Sequence, residues 1–248
     1  MTTARQTLRE TEWWKRIPTL DDIKYEPIEW VVDQMIPRGA FVLWAGKPAS
    51  YKSSLALDLA RAVSKGEQFA QFKTAPGVEV MYIDLENGRN LIAHRKKIFQ
   101  IGATPNLRYW GRWASLPFVG LDSSELLAYA DQVRPLLIFD SLVRFHRANE
   151  NDNSEMAPVM DAFVQLGRKG ATVVVLHHQG KDGDKNSRGA MEIEAAPDLA
   201  YRVDRVDCVV TLTQFKNRLD RERTFELRLT EFGFESADHV QNSDRGYV

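Results

Sequence analysis

The sequence predicts one α/β domain: a mainly parallel sheet with helices on both faces and an antiparallel hairpin at one edge. Three observations carry this reading. The runs "AFVLWAG", "VEVMYIDLE", "PLLIFDS" and "TVVVLHH" are continuously apolar, as strands buried on both faces must be. Between them lie longer segments whose apolar residues recur at helical spacing. From about Ala200 the pattern changes: "CVVTLTQF" and "TFELRLTEF" alternate around the polar turn "KNRLDRER", which predicts the hairpin.

Each element follows in order. Residues 1–25 are polar and read as an arm. Its adjacent Trp13 and Trp14 are costly to leave in water, so the arm docks on its own domain or on a neighbouring subunit. Residues 26–235 form the domain. After the first strand, Leu55, Leu59 and Val63 mark a helix that Gly66 closes. Leu91, Ile92, Arg95, Ile98 and Phe99 mark a second, ended by Gly102. "LRYW" is a short strand, and Asp122 with Glu125 has the spacing of a capping box for the helix "SSELLAYADQV". Met156, Val159, Met160, Phe163 and Val164 mark the next helix, stopped by Gly170. Residues 236–248 read as a loose tail.

Composition excludes several classes. With 33 Lys and Arg against 34 Asp and Glu, the net charge is -1, so no global basic character points to nucleic acid. A single cysteine, Cys208, rules out a disulfide framework and a cysteine metal cluster. The opening "MTTARQTLRETEWWKRIP" lacks the apolar core of a signal peptide, and no apolar run reaches membrane-spanning length. A soluble, cytoplasmic protein is expected.

The chemistry concentrates at strand ends. In "GKPASYKSS" a loop leaves a buried strand and enters a helix. The stretch Gly46, Lys47, Pro48, Ala49, Ser50, Tyr51, Lys52, Ser53 and Ser54 has the layout of a phosphate-binding loop. Backbone N–H groups and the helix N-terminus would hold the phosphates of ATP, Lys52 would reach the terminal ones, and Ser53 would offer a hydroxyl to Mg2+. Tyr51 departs from the pattern, because that position normally holds a glycine tolerant of positive φ. Ligands of open parallel sheets bind beyond the carboxyl ends of the strands. There the sequence puts Asp84 and Glu86 ("YIDLEN"), Asp140 ("LLIFDS") and His177 with His178 ("VVVLHHQG"). Asp140 suits a magnesium-holding aspartate. Adjacent strand residues point to opposite faces, so His177 and His178 cannot easily chelate one ion.

In order and spacing, "GKPASYKSSLALDLA", "VMYIDLEN", "LLIFDSLVRFHRANENDNSEM", "VVVLHHQGK", "NSRGAMEIEAAPDLAYRV" and "QFKNR" resemble the RecA-like P-loop NTPase core of hexameric replicative helicases, most closely the plasmid RepA-type. The resemblance covers residues 36–230. It implies an ATPase that uses Mg2+ and forms a homo-oligomer, a hexamer, on single-stranded DNA. It implies that Glu86 positions the attacking water, with Asp84 as the alternative. His178 would sense the terminal phosphate or simply cap its strand. Lys181, Lys185 and Arg188 would touch DNA from a loop facing the ring centre, where "RFHRANENDNSEM" would also lie. Lys216 and Arg218 would reach a neighbour's ATP, with Arg218 as the finger, or else sit solvated at a strand tip. A nucleotide-binding regulatory or assembly protein on the same fold, and a recombinase-type filament, remain the alternatives.

Overall fold

The computed structural model describes residues 13–179 and 191–237. Two short strands, β1 (Trp30–Val32) and β2 (Ile36–Pro37), form a small antiparallel ribbon. The main sheet has nine strands: β3 (Phe41–Gly46), β4 (Val80–Asp84), β5 (Leu107–Gly111), β6 (Leu136–Asp140), β7 (Thr172–His178), β8 (Leu199–Val206), β9 (Val209–Asn217), β10 (Thr224–Thr230) and β11 (Gly233–Ser236). Their spatial order is β11-β10-β9-β8-β3-β7-β6-β4-β5. From β5 to β8 neighbours run parallel; β8 through β11 pair antiparallel.

The helices are α1 (Lys52–Lys65), α2 (Arg89–Ile98), α3 (Ser124–Val133), α4 (Asn153–Arg168) and α5 (Met191–Ala195). The period-2 rule divides the central strands between two cores. On β3, Val42 and Trp44 pack toward Leu55, Leu59 and Val63 of α1. Phe41, Leu43 and Ala45 pack on the other face, with Leu126 of α3 and Met156, Met160 and Phe163 of α4. Gly66 caps α1 at φ 66, its N–H bonding the carbonyls of Ala62 and Val63, a conformation that strains any residue with a Cβ.

Several expectations are corrected. The hairpin is β9 with β10, but it is not the edge. β11 lies outside it and the long strand β8 joins it to the parallel sheet. Ser236 belongs to β11 and Ala237 is buried, so order continues past residue 235. α2 ends at Ile98, four residues before Gly102, and buries none of its own residues; Phe99, just beyond it, enters the core instead. The cap of α3 is Ser123, whose hydroxyl accepts from the Leu126 N–H, not Asp122. Within "RFHRANENDNSEM" only part is loop. Asp152 caps α4 and Phe145 packs edge-on against Phe139 at 5.0 Å. Trp14, Ile17, Leu20, Ile23 and Tyr25 of the arm are exposed, so its described part does not bury them on its own domain.

β11 is pinned to α1 by a buried charge. Asp58 is 1% exposed; it takes the Arg61 Nε at 2.7 Å and the Phe234 N–H at 2.8 Å. Removing it leaves the Phe234 amide without its acceptor and the Arg61 guanidinium with Glu67 alone. Asp58→Ala is therefore expected to destabilise the domain by about 3 kcal/mol, read by urea unfolding; a loss under about 1 kcal/mol would mean the pair behaves like an exposed bridge.

Candidate nucleotide site

The strand order sets the site. Parallel register aligns Gly46 of β3 with His178 of β7, and Asp140 of β6 with Asp84 of β4. The ends named by the sequence thus lie side by side along one rim of the sheet. The loop after β3 turns directly into the N-terminus of α1 at Lys52, with the Tyr51 carbonyl accepting the Leu55 N–H at 2.8 Å. Gly46 is required by space: a Cβ there would collide with the Val203 carbonyl of β8.

Lys52 is 4% exposed and folded into its own loop. Its ammonium donates to the Gly46 carbonyl at 2.7 Å, the Lys47 carbonyl at 2.8 Å and the Ser50 hydroxyl at 3.2 Å. Burial pushes it down to about 8, against the pull of Asp140 in the opposite direction. Below about 8 the free site carries the positive charge a triphosphate needs; above it, binding must first take up a proton. Metal-free ATP affinity is expected to fall as pH rises past that point, by up to about ten-fold per unit. Titrations from pH 7 to 9.5 check this, and Lys52→Ala should lack that limb.

Tyr51 occupies the glycine position with the glycine conformation: φ 64, ψ 14. Ala49 is also left-handed at φ 63. Each such residue stores about 1–3 kcal/mol of strain, so the loop is shaped as a phosphate loop without the residue that makes that shape easy.

The carboxylates separate by environment. Asp140 is 2% exposed and receives the Tyr82 hydroxyl at 2.7 Å. Burial pushes it up to about 6, while hydrogen bonds from Tyr82 and Ser53 hold it down. The Ser53 contact joins the two oxygen donors expected for Mg2+, and hard oxygens are what that ion takes. Asp84 is fully buried and saturated: Oδ1 accepts the Glu86 and Asn87 N–H groups, and Oδ2 accepts the Asn87 amide at 2.9 Å and the Tyr109 hydroxyl at 2.5 Å. Its lone pairs are committed to shaping the turn that carries Glu86. Glu86 is exposed, with Oε2 receiving the Ser141 hydroxyl at 3.3 Å and Oε1 lying 3.7 Å from the Arg144 guanidinium. Tyr82 and Tyr109 stack at 4.9 Å and donate to Asp140 and Asp84 in turn.

The histidines part as the strand period requires. His177 is buried; His178 is exposed at the rim. Burial, then Lys52, push His178 below its ordinary value, while Glu86 and Glu150 pull it up. Among the described residues no His, Cys, Asp and Glu group has the geometry of a metal cage.

Lys216 and Arg218 do project to the same side, and both meet the chain itself. Lys216 donates to the carbonyls of Glu194 (3.0 Å) and Ala195; Arg218 donates to the Ala195 carbonyl at 2.9 Å and pairs with Asp198 at 3.2 Å. Lys181, Lys185 and Arg188 lie outside the described residues.

A family profile described as AAA domain matches residues 6–184. The chain belongs to that AAA domain family. Two solved structures share its fold. One is the ATPase domain of another protein; it aligns with a TM-score of 0.59 at 15% identity, over 79% of this chain and 84% of that one. The other is a DnaB-like replicative helicase, solved in a study of its interactions with primase. It aligns with a TM-score of 0.63 at 15% identity, over 91% of this chain and 65% of that one. The AAA domain here thus shares its fold with an ATPase domain and with a replicative helicase. Among its described residues no helix is long and apolar enough to cross a membrane.

Sequence reasoning missed Tyr82, Tyr109, Ser141 and Arg144 as supports of this rim. Tyr82 and Tyr109 were visible only as strand aromatics in "VMYID" and "LRYWG"; their register opposite each other in β4 and β5 gives them their role.

Proposed function

We propose that this AAA domain protein hydrolyses ATP with Mg2+ in a ring of copies, a hexamer, that moves on single-stranded DNA as a RepA-type helicase does. The observation that carries the ATPase part is the shared rim: the Lys52 loop, Asp140, Glu86 and His178 sit at neighbouring strand ends. Backbone N–H groups of residues 46–54 and the α1 N-terminus bind the phosphates, and Lys52 leaves its carbonyl partners for the terminal ones. Ser53 and Asp140 would hold Mg2+, which would offset charge on the phosphates when bound. Glu86 orients the attacking water and receives its proton, with Ser141 and Arg144 fixing its two oxygens. His178 donates a hydrogen bond to the terminal phosphate region. Arg218, helped by Lys216, serves the neighbour's ATP after leaving Ala195 and Asp198.

The DNA-binding part rests on Lys181, Lys185 and Arg188. Six copies around a pore would concentrate these cations, and phosphate contacts supply most non-specific affinity. The arm of residues 1–25 lies outside the motor domain, and the protein is cytoplasmic. ATP turnover of the purified protein with and without single-stranded DNA tests the reading. Stimulation by DNA together with rings in electron micrographs supports a helicase motor. Turnover or binding indifferent to DNA favours the regulatory or assembly protein, and filaments favour the recombinase.

A further inference from the structure

We propose that Arg205 is a positioning residue of the phosphate loop, forming with Tyr51 a clamp that replaces the absent glycine. This rests on the reading of the loop as a nucleotide site. The loop contains two left-handed residues with side chains, Ala49 and Tyr51. One guanidinium touches both. The Arg205 Cζ lies 3.7 Å from the centre of the Tyr51 ring, and its NH1 donates to the Ala49 carbonyl at 3.2 Å. Its Nε donates to the Asp207 carbonyl at 2.7 Å, which fixes the guanidinium from its own strand turn. The ring is also packed against the core on the α1 side of the sheet.

The topology makes this contact possible. β8 pairs with β3, the strand that feeds the loop, and the Val203 carbonyl already crowds Gly46. Arg205, two residues further on and exposed, reaches over the loop from that side. Glycine at position 51 would take φ 64 freely and would have no ring to grip. Tyrosine resists that conformation but offers a face that a cation can hold. An arginine at this place therefore acts on the loop chiefly in company with the tyrosine, its single bond to the Ala49 carbonyl apart. A surface arginine of no function would show no such dependence.

The test is a double-mutant comparison using the fluorescent nucleotide mant-ATP for binding and ATP for turnover. In the natural Tyr51 background, Arg205→Ala is expected to raise the mant-ATP Kd and the ATP KM about five-fold, with kcat changed less. In the Tyr51→Gly background the same substitution should change Kd less than about two-fold. Arg205→Lys should recover part of the loss, since it keeps the cation over the ring but not the fork to Ala49. Arg205→Gln serves the same comparison if the alanine variant fails to fold. Equal effects in both backgrounds, or no effect with Tyr51 present, overturn the clamp. Lys52→Ala is the separate control: undiminished mant-ATP binding in that variant overturns the underlying reading of the loop, and the clamp with it.

Discussion

Glu86→Gln should bind ATP as the natural protein does and turn it over roughly 10³-fold more slowly. The amide keeps the size of the side chain and accepts a hydrogen bond, but it cannot take a proton from water. The environment sharpens this prediction. Asp84 spends its lone pairs on Glu86 N–H, Asn87 and Tyr109, whereas Glu86 reaches out from the rim on two contacts. Asp84→Asn should accordingly act differently, loosening the turn and lowering stability as well as rate. Comparing nucleotide affinity, turnover and melting temperature of the two variants separates the roles; normal turnover in Glu86→Gln assigns the water to another group.

Arg218→Ala should reduce turnover roughly 10³-fold or more while each subunit still binds ATP. The alternative is that Arg218 only ties down its own chain through Asp198 and Ala195. Magnitude decides between them. Its side chain is 53% exposed and its Asp198 partner 38%, and such a pair contributes about 0–1 kcal/mol. A stability loss of that size cannot stop turnover. Mixing provides the sharper check. In a ring assembled from Arg218→Ala and Glu86→Gln subunits in equal amounts, about a quarter of interfaces pair an intact Glu86 with an intact Arg218. Activity should return on mixing. Free subunit exchange with no recovery, or normal turnover in Arg218→Ala alone, contradicts a site shared between subunits.

How much of this was legible in the sequence varies with the physical origin of each feature. The parallel strands announced themselves because burial on both faces leaves an unbroken apolar run, as along residues 136–139 and 173–176. β8 did not, because only its first half is covered: Leu199, Ala200, Tyr201 and Val203 are buried while Arg202 and the residues from Asp204 onward are exposed. α2 shows the opposite limit. Its apolar spacing is real, yet Leu91 and Ile98 stay exposed, since periodicity marks a face without saying what covers it. Ser123 and Asp122 are both good caps, and only backbone geometry selects between them. At the rim, chain order and the strand period bring out Lys52, Asp140, Glu86 and His178. The partners that tune them come from strands distant in sequence. Tyr109 meets Asp84 and Arg205 meets Tyr51 because of the spatial order of β5, β4, β3 and β8, which a single sequence does not state.

In the proposed function, a phosphate loop with tyrosine in place of glycine still works as an ATPase site. Steady-state ATP hydrolysis by the natural protein and by Lys52→Ala, each with Mg2+ and single-stranded DNA, tests it most directly. Measurable turnover is expected of the natural protein, with a loss of roughly 10²-fold or more when the cation facing the terminal phosphates is removed. Equal turnover by the two proteins, or none by the natural one while it binds ATP, would contradict it.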